Sequence, residues 1–507
     1  MSLRRVFCHC SCILRLGIAG FLLGSPSGGL AQSAAAVTFG ASTEQQVARA
    51  LVEAINSGDT TRIRRWADST YLPSIYPRYR DDIFALYRTV QRASGGLIVE
   101  QVTGEAWVLV NARLRSTGRL ARLGLGFEPG PNQRPVISGW HAYPLADAAA
   151  DGTWPTTALP LSAVRDTIRD HLRRSVEHDE FSGVVRVMHG DSVLFEEAHG
   201  LAHRGFRIPN TATTRFHIGS QGKMFTAVAI AQLVQARRLR FLDTLGIVLP
   251  EYPDSAIARR ITIQNLLTHT SGLGFGPSAP ATRPSDWRTQ RAMTLVPAFA
   301  GQTLSFEPGT RWQYSNAGFT LLAAVVEKVS GMPFDEYVRT NIWEPAGMTH
   351  TDWGVVDDPA DDRAVGYGWF NDDPIGAQPR RPFWASRGQR GGGAGGQFST
   401  VQDLTRFAAA LRSGKLLSPA VWAHISSTRG APADNYGYGF FTYAFNGPAG
   451  VRRPSAGHGG GGASSGIDGG VFWFSDGSWT VAVLGNYDAP AAQNIIFRIM
   501  RFLAHQP

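Results

Sequence analysis

Cysteine is confined to the first dozen residues: Cys8, Cys10 and Cys12 are the only three, and nothing after them can form a thiolate or a disulfide. If that stretch is removed, thiol catalysis and cysteine-ligated metals are excluded. Lysine is almost as scarce. Of 49 basic residues only Lys223, Lys328 and Lys415 are lysines. An arginine keeps its proton at any accessible pH, whereas a desolvated lysine can shed it. A lysine retained against an arginine background therefore marks a place where arginine would not serve. Runs of like charge are missing too, and basic residues are interleaved with Asp and Glu. The net charge of +9 thus reads as a mildly basic surface and not as a nucleic-acid footprint. No apolar run is long enough to span a membrane.

What is present is ample core material. Hydrophobic residues make up 43% of the 507 and charged residues 18%, which excludes disorder for the chain as a whole, while Gly (57) and Pro (29) promise many turns and loops. The N-terminus joins Arg4 and Arg5 to the apolar run Leu16–Leu23 and to small residues before Ala31. A basic start, a short apolar stretch and small residues ahead of a cut describe a secretory signal peptide over 1–31. Its removal leaves a cysteine-free chain of net charge +6 outside the cytoplasm, periplasmic or extracellular.

Composition divides the rest into a block at 42–145, a linker at 146–160 rich in Ala, Thr and Pro, and a large unit at 161–507. In the first block, Ser42 with Gln45 has the form of a capping box, followed by Val47, Leu51 and Ile55, and Asp59 can cap a second helix carrying Ile63 and Trp66. Strand patterns follow at 97–102, 107–114, 123–127 and 136–142. Helices followed by a strand meander indicate a small α+β accessory domain. Its order of elements resembles the ketosteroid-isomerase-like cone fold.

The large unit opens with an amphipathic helix (Val164, Ile168, Leu172) and a hairpin around Gly190-Asp191-Ser192. It closes with a hairpin around Ser475–Ser478 and a final helix. Strands at both ends of a mostly helical segment predict one antiparallel sheet built from the two termini, with helices packed on it.

Three constellations carry chemistry. Ser220 and Lys223 stand three apart where an apolar helix begins, so they share a face and the amine can serve the hydroxyl. The helix start also offers unpaired N–H groups to an oxyanion. Tyr314-Ser315-Asn316 sets a phenol and an amide on one short loop: the phenol can relay a proton, and the amide can hold Lys223 or a substrate carbonyl. His458-Gly459-Gly460-Gly461-Gly462 forms a glycine-rich edge against which a substrate can lie. The histidines are scattered without ligand spacing, so neither a metal nor a cofactor is implied.

With these motifs in this order, residues 161–507 resemble the serine β-lactamase and penicillin-binding-protein superfamily. The likeness is to its class C-like branch of class C β-lactamases, D-alanyl-D-alanine carboxypeptidases, D-aminopeptidases and family VIII esterases. Leu266–Leu273 (Leu-Leu-Thr-His-Thr-Ser-Gly-Leu), Phe306–Gly309, Glu344–Met348, the glycine run 391–396 and Ser399–Asp403 add to the likeness. The resemblance implies a two-domain α/β (α+β) chain with a β-lactamase/DD-peptidase-like sheet, flanking helices and a helical subdomain. It implies Ser220 as the acylated nucleophile and Lys223 and Tyr314 as sharers of the base role. The N–H groups of Ser220 and Gly461 would form the oxyanion hole, while Asn316 would orient the substrate beside His458, Gly459 and Gly460.

One departure shapes the functional expectation. Class C β-lactamases carry Lys-Thr-Gly where this chain has His458-Gly459-Gly460, which removes a cation and a hydroxyl that hold a β-lactam carboxylate. The expectation is a secreted serine hydrolase acting through an acyl-enzyme on a small-molecule or peptide substrate, ester or amide. It has no nucleic-acid partner and no stable membrane insertion. The alternatives are a β-lactamase and a catalytically idle binding module.

Overall fold

The computed structural model describes residues 39–71, 87, 90–91, 94–104, 107–116, 118, 120–129, 134–144, 154–273, 291–355, 358, 362–368, 380–383, 390–428, 435–462 and 465–507. The expected signal peptide and residues 146–153 of the expected linker lie outside them. The described residues gather into two compact units, one mainly of residues before that linker and one mainly of residues after it, each with its own apolar core.

In the N-terminal unit, helices Thr43–Asn56 and Thr60–Thr70 precede an antiparallel meander of Leu97–Thr103, Trp107–Leu114, Leu120–Pro129 and Pro135–Pro144. Ser42 caps the first helix by accepting from the Gln45 N–H at 3.3 Å, and Asp59 caps the second by accepting from Thr61 at 2.8 Å. The reciprocal half of the capping box is missing. The Gln45 amide turns instead to the backbone of Gly40 and Gly104. Leu51, Ile55, Ile63 and Trp66 pack on Val108, Val110, Leu123 and Leu125, and Asn56 grips both backbone groups of Leu97, fixing helix to sheet.

The C-terminal unit is organised by one six-stranded antiparallel sheet in the order Ala444–Asn446, Arg452–Gly462, Ile467–Phe474, Trp479–Gly485, Gly183–His189, Ser192–His199. As the sequence pattern predicts, the two ends of this unit build it together. Every residue of Ile467–Phe474 and of Trp479–Gly485 is buried, because helices Ala491–Leu503 and Val401–Arg412 pack on these strands. Near-continuous apolar runs are what a strand covered on both faces requires. The helix Gly222–Gln235 is buried at eleven of its fourteen positions, the mark of a helix that runs through a core and does not merely lie on one.

Residues 154–160 are docked on this unit. The Trp154 ring stacks on His171 at 3.8 Å and meets Phe502 at 5.2 Å. Gln506 accepts from the Leu159 N–H at 2.8 Å and donates to the Thr157 carbonyl at 3.1 Å. The second half of the expected linker is therefore packed against the C-terminal unit. A chain beginning at Trp154 should melt above one beginning at Leu161 by about 1–2 °C, since a buried aromatic pair is worth about 1 kcal/mol and the unfolding entropy of a unit this large makes each kcal/mol worth about 1–2 °C. Equal melting temperatures in a thermal scan would show that the segment contributes nothing.

Candidate active site

Ser220 lies in the short 3₁₀ turn Gly219–Gln221 that leads into Gly222–Gln235, so the regular helix starts two residues later than the hydroxyl. Gly219 holds φ +53°, a left-handed conformation that glycine adopts without a Cβ clash. The turn is pressed against the glycine-rich strand. A Cβ on Gly460 would stand 2.0 Å from the Ile218 carbonyl oxygen and 2.7 Å from the Ser220 nitrogen, so a side chain there would drive the two apart. The Gly461 nitrogen approaches the same turn, within 3.0 Å of where a Gly219 Cβ would sit. This places the Gly461 backbone beside Ser220, as pairing of their N–H groups around an oxyanion needs.

Lys223 sits one turn along the helix and is completely buried. Its Nζ lies 3.1 Å from Ser220 Oγ, 2.7 Å from Asn316 Oδ1 and 2.6 Å from the Ala394 carbonyl oxygen. It also stands over the rings of Tyr314 and Phe319, 4.9 and 5.6 Å from their centroids. Burial without a carboxylate partner drives its pKa well below the usual lysine value, because the charged form loses most from desolvation. The other two lysines differ: Lys328 pairs with Glu251 at the surface, and Lys415 is exposed.

Tyr314 and Asn316 arrive together because Ser315 caps the helix Asn316–Ser330, accepting from the Gly318 N–H at 3.1 Å. Asn316 is thus the first residue of a helix that begins earlier than its apolar run suggests. The Tyr314 hydroxyl is buried beside Ser220; burial raises its pKa, and the Ser220 hydroxyl opposes that rise. His458 is wholly buried. Its Nε2 lies 3.3 Å from the Tyr436 hydroxyl and its Nδ1 meets the Gly459 carbonyl oxygen, so both ring nitrogens face protein groups. Burial above all, helped by Lys223 whenever that amine is protonated, pushes its pKa down to about 3. Beyond the three residues of Ala444–Asn446, no described strand pairs with the open side of the strand, which leaves Gly459–Gly461 as an edge.

All three constellations therefore meet around Ser220. Sequence reasoning missed Ala394, whose contribution is a backbone carbonyl and leaves no side-chain signal, although the glycine run around it was visible. It also missed Tyr436 and treated His269 only as part of a longer motif.

The Beta-lactamase family model matches residues 165–501. The chain belongs to the Beta-lactamase family. A curated relative, the "Putative penicillin-binding protein PbpX" of Bacillus subtilis, is 31% identical over 262 residues, covering 52% of this chain and 62% of that protein. The chain thus spans less than two thirds of the curated relatives it matches. Among solved structures, a penicillin-binding protein from Bacillus halodurans is 28% identical with a TM-score of 0.55, covering 68% of this chain and 99% of that one. A D-amino acid amidase from Ochrobactrum anthropi shares the fold at 22% identity and TM-score 0.54, covering 68% of this chain and 97% of its own. The family match begins at residue 165, so it does not reach the N-terminal unit, whose resemblance to the ketosteroid-isomerase-like fold stays an expectation.

The buried histidines of this Beta-lactamase-family site give a stability prediction. His269, like His458, is pushed well below the usual histidine range by burial and by Lys223. Both are neutral in the folded state, whereas the unfolded chain takes up protons near the ordinary value of 6.5. Their contribution is present above that value and is lost as pH falls below it toward the folded values. The slope is about 1.4 kcal/mol per pH unit for each histidine. Thermal melts from about pH 7 to about pH 5 should show falling stability. A flat melting temperature across that window would contradict the neutral, buried assignment.

Proposed function

We propose that the C-terminal unit is a serine hydrolase that forms an acyl-enzyme on Ser220 from an ester or amide substrate. One observation carries this. A neutral amine has two N–H groups and one lone pair, and two of the three partners of Lys223, the Ala394 carbonyl and Asn316 Oδ1, can only accept. Those two take the N–H groups. The lone pair is left for the Ser220 hydroxyl, the one partner that can donate.

The chemistry follows from that orientation. Lys223 takes the Ser220 proton as Oγ bonds to the substrate carbonyl carbon, and the N–H groups of Ser220 and Gly461 hold the resulting oxyanion. Collapse expels the alkoxide or amine, which receives the proton through the Tyr314 hydroxyl. Water then repeats the sequence on the acyl-enzyme. Burial moves the two candidate bases in opposite senses, lysine toward the neutral amine and tyrosine toward the protonated phenol. Both shifts favour Lys223 for the first proton and Tyr314 for the relay.

A neutral His458 offers no cation to a substrate carboxylate, and Gly459 and Gly460 offer no hydroxyl. Both support uncharged esters and amides over β-lactams. The reading includes export through the N-terminal signal segment and an accessory role for the N-terminal unit.

Against p-nitrophenyl esters, D-amino-acid amides, D-Ala-D-Ala peptides and nitrocefin, turnover should be greatest on esters or amides without a carboxylate. Nitrocefin as the best substrate would overturn that preference. Lys223→Arg should slow acylation by a fluorophosphonate at least about 100-fold, since a general base contributes about 10²–10⁴-fold and a guanidinium cannot accept the proton. With folding checked by circular dichroism, acylation within about tenfold of wild type would remove Lys223 from the base role.

A further inference from the structure

Five buried groups form a single hydrogen-bond chain whose direction is fixed at both ends. The Ser315 backbone N–H donates to His269 Nδ1 at 3.0 Å. A neutral His269 with Nδ1 accepting must carry its proton on Nε2, which lies 3.0 Å from the Tyr436 hydroxyl and donates to it. Tyr436 has one proton to give. His458 Nε2 is 3.3 Å away, and His458 Nδ1 meets the Gly459 carbonyl oxygen, which can only accept. His458 therefore carries its proton on Nδ1, and its bare Nε2 accepts from Tyr436. Every link has one donor and one acceptor, with no proton left over. The two histidines are held as opposite tautomers.

The surroundings keep the chain dry and uncharged. His269, Tyr436 and His458 are each fully buried. The His269 ring stands 4.3 Å from Tyr314, 5.1 Å from Phe319 and 5.9 Å from Trp312, while Phe441 lies 4.7 Å from Tyr436 and 4.9 Å from His458. The charged or titratable groups acting on these rings are Lys223, Tyr314 and Tyr443. A second proton on His269 Nδ1 would set donor against donor at the Ser315 N–H, and one on His458 Nε2 would do so at the Tyr436 hydroxyl.

The ends of the chain give it meaning. Ser315 lies between Tyr314 and Asn316, and Gly459 adjoins the glycines pressed against Ser220. We propose that Tyr436 is a positioning residue: its hydroxyl locks the Tyr314–Asn316 turn to the glycine-rich strand and keeps His458 a neutral spacer, so that this strand presents backbone N–H groups and no cation to the substrate. The kinetic half of this inference rests on the hydrolase reading above; the tautomer half does not.

The test uses the full chain with ¹⁵N-labelled histidine. Long-range ¹H–¹⁵N correlation near neutral pH should show two neutral histidines of opposite tautomer, absent or shifted in Tyr436→Phe. Tyr436→Phe keeps the ring but cuts the chain, and should lower kcat on a neutral ester about tenfold or more with a smaller change in KM. Tyr443→Phe removes another buried hydroxyl of the same cluster, one with no hydrogen-bond partner among the described residues, and should leave kcat within about twofold. An imidazolium pattern for His458, a shared tautomer, or equal kinetic losses in the two variants would overturn the proposal. A wild type inactive on every ester would count against the hydrolase reading, while the tautomer pattern would still decide this one.

Discussion

A lysine side chain without water is the constraint on which the C-terminal unit depends. Taking such a group out of water costs several kcal/mol unless partners replace the lost solvation. Lys223 finds replacements in Ser220, Asn316 and Ala394, which come from three separate segments of the chain. The helix that carries it must therefore be buried, the Tyr314–Asn316 turn must reach it, and the glycine run must pass close enough for a carbonyl to point inward. Thr226 repeats the last requirement, donating to the Gly393 carbonyl at 2.7 Å. The same desolvation that makes a charged lysine costly favours the neutral amine that the proposed hydrolysis needs as its base, so stability and the proposed reactivity draw on one arrangement.

Around that centre, glycine supplies approach and histidine supplies polarity without charge. The strand at Gly460 can lie against the Ser220 turn only because no side chain intervenes. His458 next to it could have supplied a cation. Two features prevent that: burial near Lys223, and ring nitrogens already committed to Tyr436 and Gly459. The glycine-rich strand therefore carries a neutral imidazole at a place where a lysine would be charged.

The buried polar groups also restrict how the site can be arranged. A side chain that must both donate and accept in a low-dielectric interior has few permitted orientations, and a chain of them has fewer still. Asp468, paired across the sheet with Gly461, adds to this by accepting from the Ala492 and Gln493 N–H groups at 2.6 and 3.0 Å, which anchors the final helix to the edge of the site.

Much of this was legible in the amino-acid order. Period-two and period-3.6 apolar patterns marked the opening and closing hairpins and the helices at 164–172 and 495–502, because burial imposes those periods locally. The rarity of lysine singled out Lys223, and spacing of three paired it with Ser220, since a helix sets neighbours at that interval. Other features had no such signature. The Ala394 carbonyl belongs to the backbone and is the same atom at every position. Tyr436 lies 167 residues from His269 and 22 from His458, and only packing brings them together. Docking of 154–160 rests on Trp154 and Gln506, at opposite ends of the unit. The sequence by itself determined which side chains could do chemistry and which segments had to be buried. Tertiary structure alone decided which of them are neutral, because protonation depends on solvent and partners that are set by folding and not by neighbours in the chain.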